Sequence, residues 1–132
     1  MSETMTIRQM CDAFGVTART LRFYEAKELL APIREGQKRL FTRRDRGRLK
    51  LILRGKKFGF SLEEIRQLLD LYETEGGAEA QLRATREIGK RQLTQMISQQ
   101  AALEEAIGEL RELLSGMDER LGESSSYLEA AE

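Results

Sequence analysis

The hydrophobic residues at the start of the chain recur with helical spacing and are interrupted by turn signals. Ile7, Met10 and Phe14 are separated by three and four residues, which predicts the apolar face of a short helix. Gly15 predicts the C-terminal end of that helix. Thr17 is a candidate N-cap for a second helix directly after it. Two short helices joined by so short a turn predict a helix-turn-helix.

The helical spacing is broken after the second helix, and a small β-hairpin is predicted there. Pro32 and Gly36 both interrupt helices. Ile33 on one side, and Leu40 and Phe41 on the other, flank a polar turn, which is the pattern of two short antiparallel strands. A hairpin that follows a helix-turn-helix in this way would form a wing.

Two further helices are predicted between the hairpin and the middle of the chain. Their predicted apolar faces consist of Leu49, Ile52 and Leu53 in the third helix, and Leu62, Ile65, Leu68, Leu69 and Tyr72 in the fourth. Gly76 and Gly77 then mark a boundary, so residues 1–75 are predicted to form one domain.

The hydrophobic pattern changes after this boundary to alternating steps of three and four residues. Such heptad spacing predicts a coiled-coil helix over residues 76–121. The seam residues are Leu93, Met96, Gln100, Leu103, Ile107, Leu110, Leu114, Met117 and Leu121. A single helix cannot bury this seam against itself, so it needs a partner helix, most simply from a second copy of the chain. Gln100 is the polar member of the seam, and such a residue can fix the register.

Charge divides the chain into two unlike halves, although its formal net charge is zero. Residues 1–66 contain 16 Lys and Arg against 8 Asp and Glu, whereas residues 67–132 contain 6 against 14. A basic half joined to an acidic half indicates a domain that faces nucleic acid and a second segment that does not. The alternative is a solvated surface on which charge is merely uneven.

Several function classes lack their usual residues in this sequence. The chain has no histidine, the commonest general base, and we predict no enzymatic activity. Cys11 is the single cysteine and is predicted to be a small hydrophobic residue, so no disulfide, metal site or cofactor is predicted. No apolar run reaches the roughly 20 residues of a membrane span, and the start of the chain does not resemble a signal peptide. We therefore expect a cytoplasmic protein.

The second helix carries the strongest candidates for DNA contacts. In a helix-turn-helix the second helix enters the major groove, and its first residues meet base edges. An arginine fork can bind guanine or clamp a phosphate. The predicted contact residues are Thr17, Arg19, Thr20, Arg22 and Tyr24. Leu21 and Phe23 are predicted to lie in the core, and Glu25 to be structural or an ion-pair partner; the alternative is that Arg19 and Arg22 only solvate a surface.

The predicted wing and the third helix supply further basic candidates. Basic residues on a hairpin beside a helix-turn-helix can bind adjacent phosphates or enter the minor groove, although a solvated loop is the alternative. The wing candidates are Arg34, Lys38 and Arg39, and the weaker phosphate candidates on the third helix are Arg43, Lys56 and Lys57.

From Thr6 to Tyr72 the sequence resembles the MerR family of transcription regulators. The segment VTARTLRFYEAKELLAP is similar to that family's recognition helix and the start of its wing. The segment RLFTRRDRGRLKLILRGKKFGFSLEEIRQLL is similar to the end of the wing and the next two helices. The resemblance implies a homodimer joined by an antiparallel coiled coil and bound to an inverted repeat within an overlong promoter spacer. It implies that the dimer bends and untwists this spacer so that RNA polymerase engages both promoter elements.

Residue roles also follow from the resemblance. The five candidates on the second helix match the family's recognition-helix contacts, and Arg39 with Phe41 matches a basic–aromatic pair of the wing. Many relatives have tyrosine at the position of Phe41, so a contact from that hydroxyl to phosphate would be lost here. The run FGFSLEEIRQLLDLY is similar to a subgroup that controls branched-chain amino-acid and acyl catabolism.

Departures from the family pattern concern effectors. Metal-sensing relatives carry cysteine near the start of the coil helix and in a loop after it, the iron–sulfur branch needs four cysteines, and the drug-sensing branch adds a large C-terminal domain. None of these features is present in this sequence. A small-molecule effector is therefore possible in principle but is not identified by any motif.

The predicted fold is mainly α: a winged helix-turn-helix domain over residues 1–75, a dimerising coiled-coil helix over 76–121 and an acidic tail over 122–132. The predicted function is a homodimeric transcription regulator that binds an inverted-repeat promoter site and distorts the DNA for RNA polymerase. The alternative is a coiled-coil interaction protein whose basic domain binds DNA non-specifically or binds an acidic partner.

Overall fold

The computed structural model describes residues 3–122, and these form a small sheet and five helices. In chain order the elements are β1 (Met5–Thr6), α1 (Ile7–Phe14), α2 (Ala18–Ala26), β2 (Ile33–Glu35), β3 (Lys38–Phe41), α3 (Arg43–Lys57), α4 (Leu62–Tyr72) and α5 (Gly77–Leu121). The described residues fall into two compact units divided between Gly89 and Lys90. The mainly α fold with a β-hairpin wing is confirmed, whereas most of the predicted tail lies outside the described residues.

Side-chain caps fix where four of the helices begin. Thr6, Thr42 and Ser61 each accept a hydrogen bond from the backbone amide three residues later, and the side chain at that later position bonds back to the cap's own amide. Thr17 caps α2 by accepting a hydrogen bond from the Thr20 amide at 3.1 Å. The helix-turn-helix therefore begins at Thr6, and the predicted N-cap of its second helix at Thr17 is confirmed.

The predicted hairpin is confirmed, and it belongs to a three-stranded antiparallel sheet in the order β1–β3–β2. Within the hairpin, Arg34 lies opposite Arg39, and Gly36 turns the chain with a φ of 61°. On the other edge of β3, Met5 pairs with Phe41. The strand β1 contains only two residues, so it carries no alternating pattern that could have been recognised in the sequence.

The segment after α2 turns sharply back into the core. α2 ends at Ala26, and Glu28 has a φ of 61°, the only positive φ of a non-glycine residue between positions 3 and 122. The Leu29 amide donates to the Tyr24 carbonyl at 2.9 Å, which closes the end of the helix. Leu29 and Leu30 then lie buried, so the direction in which the chain leaves α2 is fixed.

The core of the first unit lies between the helix-turn-helix, the sheet and helices α3 and α4. Its fully buried side chains include Met10, Leu21, Phe41, Leu49, Ile52 and Ile65. Most of the predicted face of α4 is buried, but Tyr72 is 60% exposed, so its predicted burial is wrong. The reason is that α4 ends at Tyr72, where the ring lines an open cavity.

Helix α5 begins within the first unit and continues into the second. A Cβ at Gly77 would lie 2.1 Å from the Leu71 carbonyl oxygen, so only glycine fits where α5 begins. Ala84 and Ile88 pack against the core of the first unit. In the second unit the apolar seam is open to solvent, and Leu110, for example, is 54% exposed. The predicted coil helix is thus present, with its hydrophobic seam uncovered in one chain.

Candidate nucleic-acid interface

The outward face of α2 presents two arginines and one aromatic ring. Arg19, Arg22 and Phe23 are exposed, and they share a face because they are spaced by three and four residues. Leu21 and Tyr24 form the opposite, buried face. Neither arginine forms an ion pair with any residue in the described part of the chain. Both guanidinium groups are therefore available to an external anion or hydrogen-bond acceptor.

The two aromatic residues of α2 lie on the faces opposite to those predicted. Phe23 is 45% exposed, so its predicted place in the core is wrong. Tyr24 is only 6% exposed, and burial raises the pKa of its hydroxyl, so the prediction that this side chain faces DNA is also wrong. The physical reason is helical periodicity, since Tyr24 is three residues from buried Leu21 and Phe23 is four from exposed Arg19.

The hydroxyls at the start of α2 are engaged with each other. The Thr17 and Thr20 hydroxyls lie 2.9 Å apart, and Thr17 also accepts from the Thr20 amide. Thr17 is exposed, whereas Thr20 is half-buried. A hydroxyl keeps further hydrogen-bonding capacity after one such bond. The pair therefore fixes the start of the helix and leaves the Thr17 hydroxyl accessible beside Arg19.

The two wing arginines contact α2 through one carboxylate. Arg34 Nη1 lies 2.9 Å from Glu25 Oε2, and Arg39 Nε lies 2.5 Å from Glu25 Oε1. The prediction that Glu25 is an ion-pair partner is confirmed. Burial raises the pKa of the Glu25 carboxyl, but hydrogen bonds and charge from Arg39 and Arg34 outweigh that effect and leave the pKa below its ordinary value. Glu25 thus joins the wing to α2.

We expect Glu25→Gln to lower the free energy of unfolding at pH 7 by about 1 kcal/mol, because both ion pairs are lost. Since the folded-state pKa of Glu25 is depressed, its stabilisation is present above the ordinary value of 4.5 and is lost as pH falls through the folded-state value. The difference between wild type and variant should therefore shrink on acidification. Urea unfolding at a series of pH values measures it.

Glu35→Gln is the matched control, since Glu35 is an exposed wing residue without an ion pair in the described part of the chain. It should change stability little at any pH. A pH-independent loss for Glu25→Gln would contradict an electrostatic role for this residue.

The aromatic residue of the wing lies in the core. Phe41 is fully buried and pairs with Met5 across the sheet, so the prediction that Phe41 contacts DNA is wrong. The reason is that β1 covers the second edge of β3 and α3 begins directly after it, which places the ring among core side chains. Lys38, by contrast, is exposed and has no ion pair among residues 3–122. It is the wing cation that remains free for phosphate.

The basic candidates on α3 do not lie together. Arg43 is the first residue of the helix, and Lys56 and Lys57 are the last two. At 1.5 Å per residue the two ends are separated by about 20 Å along the axis. All three side chains are exposed, and none has an ion pair within the described residues. They can therefore contact phosphates only as two separate groups.

The segment between α2 and the wing is bound by two charged residues that were not predicted from the sequence. Asp45 is fully buried and accepts from the Ala31 amide at 3.0 Å. Arg48 is 9% exposed and donates from Nε to the Leu29 carbonyl at 2.6 Å. Burial, together with nearby Arg44, lowers the pKa of Arg48 from its usual high value, and carboxylates partly offset this. These contacts fix the exit of α2 relative to α3.

Other kinds of site find no support in the described part of the chain. Residues 3–122 contain no group of three or more His, Cys, Asp or Glu placed to hold a metal ion. Cys11 is half-buried and packs against the core. Among the same residues, no helix combines the length and the apolar character needed to span a bilayer.

Comparisons with known proteins assign the chain that carries this surface to a family. Residues 5–72 match the MerR HTH family regulatory protein, and residues 46–113 match MerR, DNA binding. The transcriptional regulator HmrR of Rhizobium leguminosarum bv. viciae is 36% identical over 93 residues, which cover 70% of each chain.

Solved structures agree with these matches. A MerR-family regulator from Bacillus cereus has a TM-score of 0.71 at 25% identity, covering 97% of this chain and 92% of that one. HiNmlR, a MerR family regulator lacking the sensor domain, was solved bound to promoter DNA and has a TM-score of 0.62 at 26% identity, covering 91% and 92%. The resemblance seen in the sequence is confirmed, and the subgroup assignment stays a prediction. The chain belongs to the MerR family of helix-turn-helix transcription regulators.

Proposed function

We propose that the protein acts as a homodimer that binds an inverted-repeat promoter site and distorts the DNA between the half-sites to control transcription. The observation that carries this proposal is the exposed face of α2, on which Arg19 and Arg22 lie without ion-pair partners among the described residues. A capped helix whose basic face is free is what major-groove recognition requires. The promoter DNA bound by HiNmlR supports the same mode of binding.

Recognition of bases is assigned to the exposed residues of α2. Arg22 and Arg19 can each donate two hydrogen bonds to a guanine edge or clamp a phosphate. Phe23 lies one turn after Arg19 on the same exposed face and offers apolar surface of the kind that contacts a thymine methyl group. Thr17 has an accessible hydroxyl that can reach a phosphate at the start of the helix.

The wing is assigned to the DNA backbone. Lys38 is free, whereas Arg34 and Arg39 are held by Glu25. An arginine has five N–H donors, so a guanidinium held by a carboxylate on one side can still donate to a phosphate on another. Glu25 would then orient these arginines for phosphates next to the major groove that α2 enters.

The dimer is assigned to the seam of α5. Seven of its eight apolar side chains are at least 40% exposed in one chain, and a second copy offers an identical seam that can cover them. The second half of the chain is acidic, so it is repelled by phosphates and stays off the DNA. The family resemblance further implies that the two helices are antiparallel.

Distortion of the promoter follows from linking two DNA-binding units through one coil. A rigid dimer that fits two half-sites imposes its own spacing on the DNA, and the cost of bending or untwisting is offset by the extra contacts. By analogy with the family, this brings both promoter elements into reach of RNA polymerase. Because the regulator acts on promoters, we place it in the cytoplasm with the chromosome.

Selection of sequences from random duplex DNA by the purified protein tests this proposal. We expect one enriched sequence that reads as an inverted repeat, because a two-fold symmetric protein binds two symmetric half-sites. Enrichment of an isolated half-site would contradict the dimer. The absence of any enriched sequence would favour the alternative of a basic domain that grips DNA non-specifically.

A further inference from the structure

An open cavity of about 830 Å³ lies among α3, α4 and the start of α5, entirely within the first unit. Its lining residues are Arg43, Arg44, Gly47, Arg48, Leu51, Leu69, Tyr72, Glu73 and Gln81. The volume falls in the range of cavities that bind small organic molecules, roughly 300 to 1,000 Å³. No residue placed in the DNA interface lies here except Arg43, the first residue of α3.

The cavity combines an apolar wall with three guanidinium groups. Arg44 Nε lies 2.6 Å and Arg48 Nη1 lies 3.2 Å from the same oxygen, Glu73 Oε1. Arg43 has no ion pair among the described residues. Among the residues that line the cavity, three are cationic and one is a carboxylate, while Asp45 and Asp70 act on Arg48 from outside the lining. Several guanidinium donors remain available for a second anionic group.

We propose that this cavity binds a small organic anion with an apolar tail. The head group, a carboxylate or a phosphate, would be held by Arg43 and Arg44, since arginine forks bind both groups through paired hydrogen bonds. The tail would lie against Leu51, Leu69 and the exposed ring of Tyr72. The Glu73 carboxylate already occupies part of this cationic surface and shows which head-group chemistry it accepts.

Arg48 connects the cavity to the recognition helix. It lines the cavity, and its Nε donates to the Leu29 carbonyl in the segment that leaves α2. An anion that draws Arg44 or Arg48 away from Glu73 changes the interactions that position this segment. Ligand binding is therefore expected to alter operator affinity by roughly 5- to 150-fold, the usual size of such coupling. This regulatory consequence rests on the proposed function, whereas the binding site itself does not.

Gly47 allows the site to be tested without removing a charge. A Cβ at Gly47 would meet nothing within 4 Å, and the residue lines the cavity in the middle of α3. Gly47→Leu therefore adds a side chain at the cavity wall whose Cβ has free space, and glycine is a poor residue within a helix, so the variant should fold. Gly47→Ala is the matched control, because it makes the same backbone change but leaves the cavity open.

Calorimetric titration of the full chain, without DNA, uses four probes that carry the same six-carbon tail beyond the head group: heptanoate, hexyl phosphate, hexylamine and hexanol. We expect saturable binding of at least one anion, with the amine and the alcohol at least about tenfold weaker. The tighter of the two anions identifies the head group. Gly47→Leu should weaken that anion at least about tenfold, and Gly47→Ala should keep its affinity within about twofold. Arg44→Gln should weaken it while leaving hexanol unaffected.

Three results would overturn the proposal: no saturable binding of either anion, equal affinity in wild type and Gly47→Leu, or a change of oligomeric state caused by Gly47→Leu. The last would show that a second copy of the chain fills the cavity. Because no DNA is present, these results leave the proposed function intact. Conversely, anion binding by a protein that selects no DNA sequence would overturn the proposed function and keep the cavity assignment.

Discussion

Leu110→Glu is expected to convert the dimer into monomers and to lower affinity for the selected operator by at least about a hundredfold. Leu110 lies in the middle of the seam and is 54% exposed in one chain, so a partner helix is needed to bury it. A carboxylate there would have to be desolvated opposite apolar side chains of the second copy. Without the dimer the two half-sites are no longer bound as one unit. Light scattering and operator titration measure both consequences.

Ser98→Glu is the matched control for this substitution. It adds the same charge to the same helix, but residue 98 lies outside the heptad seam. It should leave both the oligomeric state and the operator affinity unchanged. A monomeric Leu110→Glu protein that binds the operator as tightly as wild type would contradict the assignment of the seam.

Arg22→Ala is expected to cost about 1–3 kcal/mol of binding to the selected operator and much less on scrambled DNA. The reason is that an arginine on the exposed face of α2 reads a base edge, and its removal relaxes discrimination at that position. Competition titrations of operator and scrambled duplex give both affinities. A second selection with the variant would show relaxed preference at one base pair in each half-site.

Lys57→Ala distinguishes the contribution of phosphate contacts to DNA affinity from that of base recognition. Lys57 is an exposed cation at the end of α3 and is assigned to phosphate, so its loss should weaken all DNA alike and reduce the salt slope by about one. Equal losses on operator and scrambled DNA from both substitutions would contradict base recognition by Arg22. They would favour the coiled-coil interaction protein with a non-specific basic domain.

The order of the elements could be predicted from the sequence because caps and periodicity are local signals. Thr17, the hairpin around Gly36 and the apolar residues of α4 up to Leu69 are examples. The left-handed turn at Glu28 could not be predicted from the sequence, because glycine is the residue that ordinarily adopts this conformation. The strand β1 was also missed, since it forms only by pairing with β3, which is distant in the sequence.

The candidate site was predicted by residue type more successfully than by orientation. Arg19 and Arg22 are exposed as the helix-turn-helix pattern required. Phe23 and Tyr24 were assigned to the wrong faces because the polar hydroxyl of tyrosine suggests a DNA contact, whereas helical spacing places Tyr24 with Leu21 and Phe23 with Arg19. The contacts of Glu25 with the wing and the burial of Arg48 depend on tertiary packing, and a charged residue within a helix is by default expected in solvent.

Salt-titrated binding to the selected site and to a scrambled control tests the central claim most directly. If α2 reads bases and the coil links two such helices, the operator should be bound at least about a thousandfold more tightly than the control at physiological salt. Both affinities should fall as salt rises, and the operator should keep its advantage. Equal affinities for operator and control that fall together as salt rises would contradict the account. The basic half would then bind DNA only through non-specific electrostatic contacts.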